Sequence, residues 1–195
     1  MFCNQCEQTL GGIACTTVGV CGKKPTVAEL QELVLHEVVA VSLWAVAGRE
    51  HGVADPALDG LVDKAIFHTV TNVDFDDASL ARVVRDLHAA RIALAGKVTA
   101  AGGAPAHDDA SLSFEPAADL DALTAQAVAV GHFADRGADA DVRSLMEVTI
   151  YGVKGIAAYA DHARILGQSD PEVSAFTYKA FASLADPSLG VGEWV

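Results

Sequence analysis

The chain has 195 residues, enough for one large domain or two small ones, and its 51% apolar content is ample for a buried core. A formal net charge of −13 makes nucleic acid and anionic membrane surfaces poor partners. Aromatic residues make up only 6% of the chain and alanines are abundant, a balance that suits closely packed helices better than a sheet. The longest apolar run, Val38 to Gly48, is far shorter than the roughly 20 residues needed to span a bilayer. Phe2 to Gly12 lacks the apolar centre of a signal peptide, so the cytoplasm is the expected compartment and no membrane partner is expected.

All of the cysteines come first: Cys3, Cys6, Cys15 and Cys21, spaced C-x2-C-x8-C-x5-C in a stretch with no helical or strand periodicity. A loop can bring four sulfurs to one point. Gly11, Gly12, Gly19 and Gly22 lie among them and permit tight turns and close approach of the backbone to a bulky inorganic centre. A four-thiolate iron–sulfur cluster is negatively charged, so it needs backbone N–H donors and benefits from nearby cations; Lys23 and Lys24 follow the last cysteine. Structural zinc is the rival, although its usual signature is two C-x2-C knuckles and Cys15/Cys21 is too widely spaced to be one. Two disulfides fit poorly in a chain far longer than small secreted scaffolds, and four unrelated buried cysteines would rarely fall together by chance. The spacing places iron–sulfur ahead of zinc and leaves both open.

Thr26 with Glu29 three residues later reads as a capping box, and a helix is expected to about Arg49. Leu30, Leu33, Val34, Val38, Val41 and Ala45 form its core face, on which Trp44 and His36 read as packing residues. Asp55-Pro56 opens a second helix to about Thr69, with Asp as N-cap and Pro at the first position. After a polar turn from Asn72 to Asp77, the positions Leu80, Val83, Val84, Leu87, Arg91 and Leu94 mark a third helix to about Val98. A connector follows, and then a helical segment from about Ala118 to Ala134. The fold class is all-α, divided as a cluster-binding loop at 1–25, a first helical bundle at 26–100, a connector at 101–117 and a second helical bundle at 118–195.

A shift of 115 residues places Leu30 on Leu145, Glu32 on Glu147, Val38 on Val153, Arg49 on Arg164 and Gly52 on Gly167. It also carries Asp55-Pro56 onto Asp170-Pro171. Alanine-rich helices resemble one another easily, but shared Gly and Asp-Pro punctuation argues for an internal repeat. The same shift puts Leu80 on Val195, where the next helix would be starting. The expectation is therefore a truncated second bundle with an open apolar groove, covered by the rest of the same polypeptide or by a partner.

Met1-Phe2-Cys3-Asn4-Gln5-Cys6-Glu7-Gln8-Thr9, with Gly19-Val20-Cys21-Gly22-Lys23, resembles the amino terminus of the hybrid cluster proteins, also called prismane proteins or hydroxylamine reductases, relatives of carbon monoxide dehydrogenases. Val142-Arg143-Ser144-Leu145 and the run Tyr151 to Ala160 are similar to a later helix of that family. The resemblance implies that Cys3, Cys6, Cys15 and Cys21 ligate a 4Fe–4S cluster, since a 2Fe–2S variant has longer spacing. It implies an iron–sulfur oxidoreductase acting on hydroxylamine or nitric oxide in anaerobic metabolism. This segment would be its electron relay, fed by an electron-donor protein, and a homodimer is a further expectation. The family's catalytic hybrid iron–sulfur–oxygen cluster would be present only if the chain continues beyond Val195, so no catalytic residue is expected here. The alternative is a stand-alone iron–sulfur electron carrier or redox sensor.

Other patterns fail. His36-Glu37 starts like a zinc-protease helix, but Ala40 stands where the second histidine belongs. Asp74, Asp76 and Asp77 lack the ordered ligand spacing of a calcium loop. The remaining histidines are scattered.

Overall fold

In the computed structural model, which describes residues 1–132 and 139–194, aspartates start most of the helices. Asp55 caps α2 (Pro56–His68), Asp76 caps α3 (Asp77–Ala100), Asp119 caps α4 (Leu120–Val130), Asp139 caps α5 (Ala140–Ile165) and Asp170 caps α6 (Pro171–Ser183). Each carboxylate accepts hydrogen bonds from N–H groups of the first turn that have no partner within the helix. A short α7 (Val191–Trp194) completes the described elements, which are all-α with no strand.

α1 (Pro25–Glu50), by contrast, starts on Lys24 with no side-chain cap. The expected capping box does not form: the helix already begins at Pro25, which puts Thr26 inside the first turn, and the Glu29 carboxylate is buried and held at 2.5 Å by the ammonium of Met1. The first residues are thereby tied to the foot of α1. The fourth helix is also shorter than expected: it starts after Asp119 and stops at Gly131, whose φ of 75° lies in the left-handed region. Phe133 and Ala134, its expected last residues, lie outside the described ones.

The repeat is visible in the helix bounds. Shifting Pro25–Glu50 and Pro56–His68 by 115 residues lands on the bounds of α5 and α6. Gly52 and Gly167, the glycines that end α1 and α5, have φ of 74° and 77°. In space the two halves exchange partners: α1 packs on α6 as α2 packs on α5. Their arginine contacts fall at equivalent positions too, although one is an ion pair and the other a cation–π contact. Arg164 donates from Nε and Nη2 to Asp63 Oδ2 at 3.1 and 3.0 Å, while Arg49 lies 4.6 Å over the Tyr178 ring. Position 63 maps onto 178 and position 49 onto 164.

α1 is the centre of the core, with Val27, Leu30, Leu33, Val34, Val38, Val39 and Val41 fully buried. Among the described helices it is the one long and apolar enough to cross a membrane by composition, and 83% of that window is buried within the fold. α3 lies along it, and Val98 seats where a Cβ on Gly48 would come within 3.0 Å of its methyl group. The corresponding face of α5 carries a groove of about 680 Å³, lined by Gly152, Gly155, Ile156, Tyr159, Ala160 and Ala163. Positions 152 and 163 are the images of Glu37 and Gly48, where α1 receives Arg91 and Val98 of α3.

One charged cluster crosses this core. Arg91, 2% exposed, donates from Nε to Glu37 Oε2 at 3.2 Å, from Nη1 to Leu112 O at 2.6 Å and from Nη2 to Phe114 O at 2.6 Å. Nη2 also reaches His88 Nδ1 at 2.8 Å. Because guanidinium only donates, the His88 proton sits on Nε2, which faces Glu115 at 3.2 Å. His88 then has no proton to give Glu37 Oε1, which has no hydrogen-bond partner among the described residues. Burial pushes the Glu37 carboxyl up to about 7 against the opposing charge of Arg91. Between about pH 4.5 and 7 the folded chain thus holds a proton that the unfolded chain has released, so this group makes stability fall as pH rises through that window. Glu37→Gln is expected to flatten that part of the stability profile, measured by urea denaturation at several pH values.

Candidate metal centre

The first 24 residues form a loop pinned at both ends. The backbone of Cys3 pairs with Cys15 in an antiparallel bridge, N–H to carbonyl in both directions at 3.1 and 2.9 Å. A short helical turn at Leu10–Gly12 reverses the chain between them, with Gly11 and Gly12 at φ of 66° and 72°. Thr9 closes the first turn by donating its hydroxyl to Cys6 O. Past Cys15, the Gly19 N–H donates to Lys23 O at 2.9 Å. A Cβ on Gly19 would come within 3.0 Å of Cys21 Sγ and of Lys23 Cβ, so a side chain there would press on both.

Two helices and a turn hold this loop. Thr71, in the α2–α3 turn, donates to Gln5 O at 3.3 Å, and Tyr151 on α5 donates to Asn4 O at 2.5 Å. Met1 reaches Glu29 on α1, whose other oxygen lies 3.6 Å from His132 Nε2. The two residues between Cys3 and Cys6 are therefore the ones gripped by the rest of the protein.

The four thiols differ in setting. Cys15 is buried, Cys3 and Cys6 are half-buried, Cys21 is exposed, and all four are free of disulfides. Backbone hydrogen bonds from Leu10 and then Val20 pull the Cys15 thiol below its ordinary range; burial opposes them and the charge of Lys23 adds to them. Lys23 is itself 2% exposed, with Nζ 3.8 Å from Cys3 Sγ. A second buried ammonium, Lys154 on α5, donates to Thr69 O at 3.3 Å and is pushed down to about 8 by burial, against the attraction of Glu32 and Cys3.

The bridge brings Cys3 and Cys15 together, but among the described residues no three His, Cys, Asp or Glu side chains converge as a metal-holding group. The donor set nonetheless fits an anionic sulfur-ligated centre: four thiols on one loop, amide donors already aimed at one of them, and two buried cations alongside. Lys154 and Tyr151 sit within the second motif of the sequence, but the pattern alone did not show that they face the cysteine loop. Gln31, which holds Lys23, left no sequence signal.

Of the scattered histidines, His132 packs beside the loop, its ring centroid 5.8 Å from that of Phe2, but among the described residues none joins the cysteines in a metal-holding group. His36 is buried with its ring edge-on to Phe114 at 5.5 Å, and His68 pairs with Asp74 at 2.6 Å. Asp76 is spent on capping α3, and Asp74 accepts the Asp76 N–H at 2.8 Å, so the acidic turn is a helix start.

The Prismane/CO dehydrogenase family model matches residues 1–192. The chain is 46% identical over 196 residues to a hydroxylamine reductase of Methanocella arvoryzae and 44% identical over 201 residues to one of Geobacter sulfurreducens. A hydroxylamine reductase of Syntrophobacter fumaroxidans is 43% identical over 195 residues. Each alignment covers 100% of this chain and 36% of the relative, so the chain spans about a third of the length of the curated relatives it matches.

Proposed function

Because the chain belongs to the Prismane/CO dehydrogenase family, we propose that it is the N-terminal electron-relay part of a hydroxylamine reductase. Cys3, Cys6, Cys15 and Cys21 bind an iron–sulfur cluster, of the 4Fe–4S type. The observation that carries this reading is the loop itself: four free thiols, amide hydrogen bonds to Cys15, and a buried ammonium 3.8 Å from Cys3. When bound, such a cluster supplies one-electron transfer.

The chain's own residues do the rest. Leu10 and Val20 lend amide hydrogen bonds to the Cys15 sulfur, Lys23 and Lys154 offset negative charge from below the loop, and Tyr151 and Thr71 hold Asn4 and Gln5 in place. Cys21 at the surface is the side from which a donor protein delivers electrons. Reduction of hydroxylamine or nitric oxide belongs to a hybrid iron–sulfur–oxygen cluster that these four cysteines do not build. Free thiols agree with the reducing conditions of the cytoplasm.

The test is electron paramagnetic resonance of the anaerobic, dithionite-reduced protein, which is expected to show one reduced iron–sulfur centre per chain. A colourless protein with one zinc per chain would contradict it. His36→Gln is expected to leave the visible spectrum unchanged, since the ring is a buried packing group set edge-on to Phe114. A bleached variant would show that the ligand set has been misread.

A further inference from the structure

Among the described residues, Lys23 is buried without a carboxylate partner. There its Nζ meets Cys3 Sγ at 3.8 Å and Gln31 Oε1 at 2.6 Å, and neither is a carboxylate. Burying an unpaired ammonium is costly unless negative charge lies close by. The group beside it is the Cys3 sulfur, where a bound anionic cluster would supply that charge.

Gln31 explains why the ammonium stays there. The side chain is 2% exposed, and its Nε2 donates to two backbone carbonyls, His68 O and Asp74 O, each at 3.2 Å. With the amide nitrogen committed to two acceptors, the amide oxygen must face the lysine, because the reverse orientation would set carbonyls against a carbonyl. The carbonyls at the end of α2 and in the α2–α3 turn thus orient Gln31, Gln31 orients Lys23, and Lys23 points at Cys3. The Lys23 backbone is fixed as well, through its carbonyl to the Gly19 N–H.

We infer that Lys23, positioned by Gln31, raises the reduction potential of the cluster held by the four cysteines. This rests on the iron–sulfur reading of the loop. One-electron reduction adds one negative charge to the cluster, with no bond made or broken, and the electron comes from a reduced donor protein. A fixed positive charge in a low-dielectric site stabilises the more negative, reduced state more than the oxidised one. Lys24, next in sequence, is exposed, so water screens any effect of its charge.

The experiment is a redox titration followed by electron paramagnetic resonance, on the protein purified anaerobically with its cluster and with iron per chain measured alongside. In Lys23→Met the ratio of reduced to oxidised cluster, read at the wild-type midpoint, is expected to drop about tenfold, a shift of about 59 mV downward for one electron. Lys23→Arg keeps the charge and restores most of the potential. Gln31→Glu keeps the lysine but gives it a carboxylate, so its midpoint also falls. That variant carries the test should Lys23→Met fail to fold or to load iron.

An unmoved midpoint in Lys23→Met at full iron content, or in Gln31→Glu where that variant carries the test, overturns the inference. A wild-type protein with no iron–sulfur signal would instead overturn the reading of the loop on which it rests.

Discussion

Cys15→Ser is expected to lose the visible iron–sulfur absorption or convert it to that of a different cluster, with the iron content falling in proportion. Cys15 is the most buried of the four thiols, the one that receives the Leu10 and Val20 amides, and the backbone partner of Cys3. A serine hydroxyl keeps those amide contacts yet is a far poorer ligand for iron than a thiolate, because its proton is held much more tightly. The loss should exceed the roughly 10–100-fold drop in affinity that follows from altering an outer-shell partner. The backbone bridge to Cys3 uses no side-chain atom, so the helical core should remain folded by circular dichroism. An unaltered visible spectrum would contradict the ligand assignment.

Arg91→Met is expected to destabilise the fold by about 3–5 kcal/mol, the range for removing one partner of a buried ion pair. Methionine fills much of the volume, so the loss is in charge and hydrogen bonding. It leaves Glu37 at 0% exposure without its cation, and Leu112 and Phe114 without the donor that ties the 110–113 turn to α3. The measurement is urea denaturation of wild type and variant at one pH above 7, where the Glu37 carboxyl is ionised, and the expected result is a lower midpoint with an unchanged slope. A change below about 0.5 kcal/mol, the size expected at an ordinary surface position, would show that the network is peripheral.

Much of the helical plan was legible because it is written in local rules. Asp55-Pro56 and Asp170-Pro171 start helices wherever they occur, and Gly52 and Gly167 end them, so the repeat could be read from punctuation and reappears in the helix bounds. The capping box at Thr26 failed for a local and a non-local reason, since α1 already begins at Pro25 and Glu29 has a partner in the Met1 ammonium, 28 residues away in sequence. How the halves interlock was equally hidden. The exchange of α1–α6 and α2–α5 contacts depends on which face each helix turns to the other, and alanine-rich faces specify that weakly.

The site divides in the same way. Its cysteines are plain in sequence because all four lie within one loop, but their cations are not. Lys23 could be suspected from its place after Cys21. Lys154 and Tyr151 lie beside the loop from α5, far along the chain, and Gln31 reaches it from the adjoining α1, through contacts that no spacing encodes. Arg91 was visible as a charge inside an apolar stripe, which is the usual mark of a buried ion pair, although its partner was not. The convergence of the four sulfurs is a different matter, since metal–thiolate bonds rather than contacts between parts of the chain hold such a set at one point.

The most direct test of the central claim is native mass spectrometry of the anaerobically purified protein, with peptide mapping of the cluster-bearing segment. The expected result is a mass increment of four irons and four sulfides, abolished by Cys15→Ser and assigned to residues 1–24. A single zinc on those residues, or no inorganic increment in a folded, anaerobically prepared chain, would contradict the account.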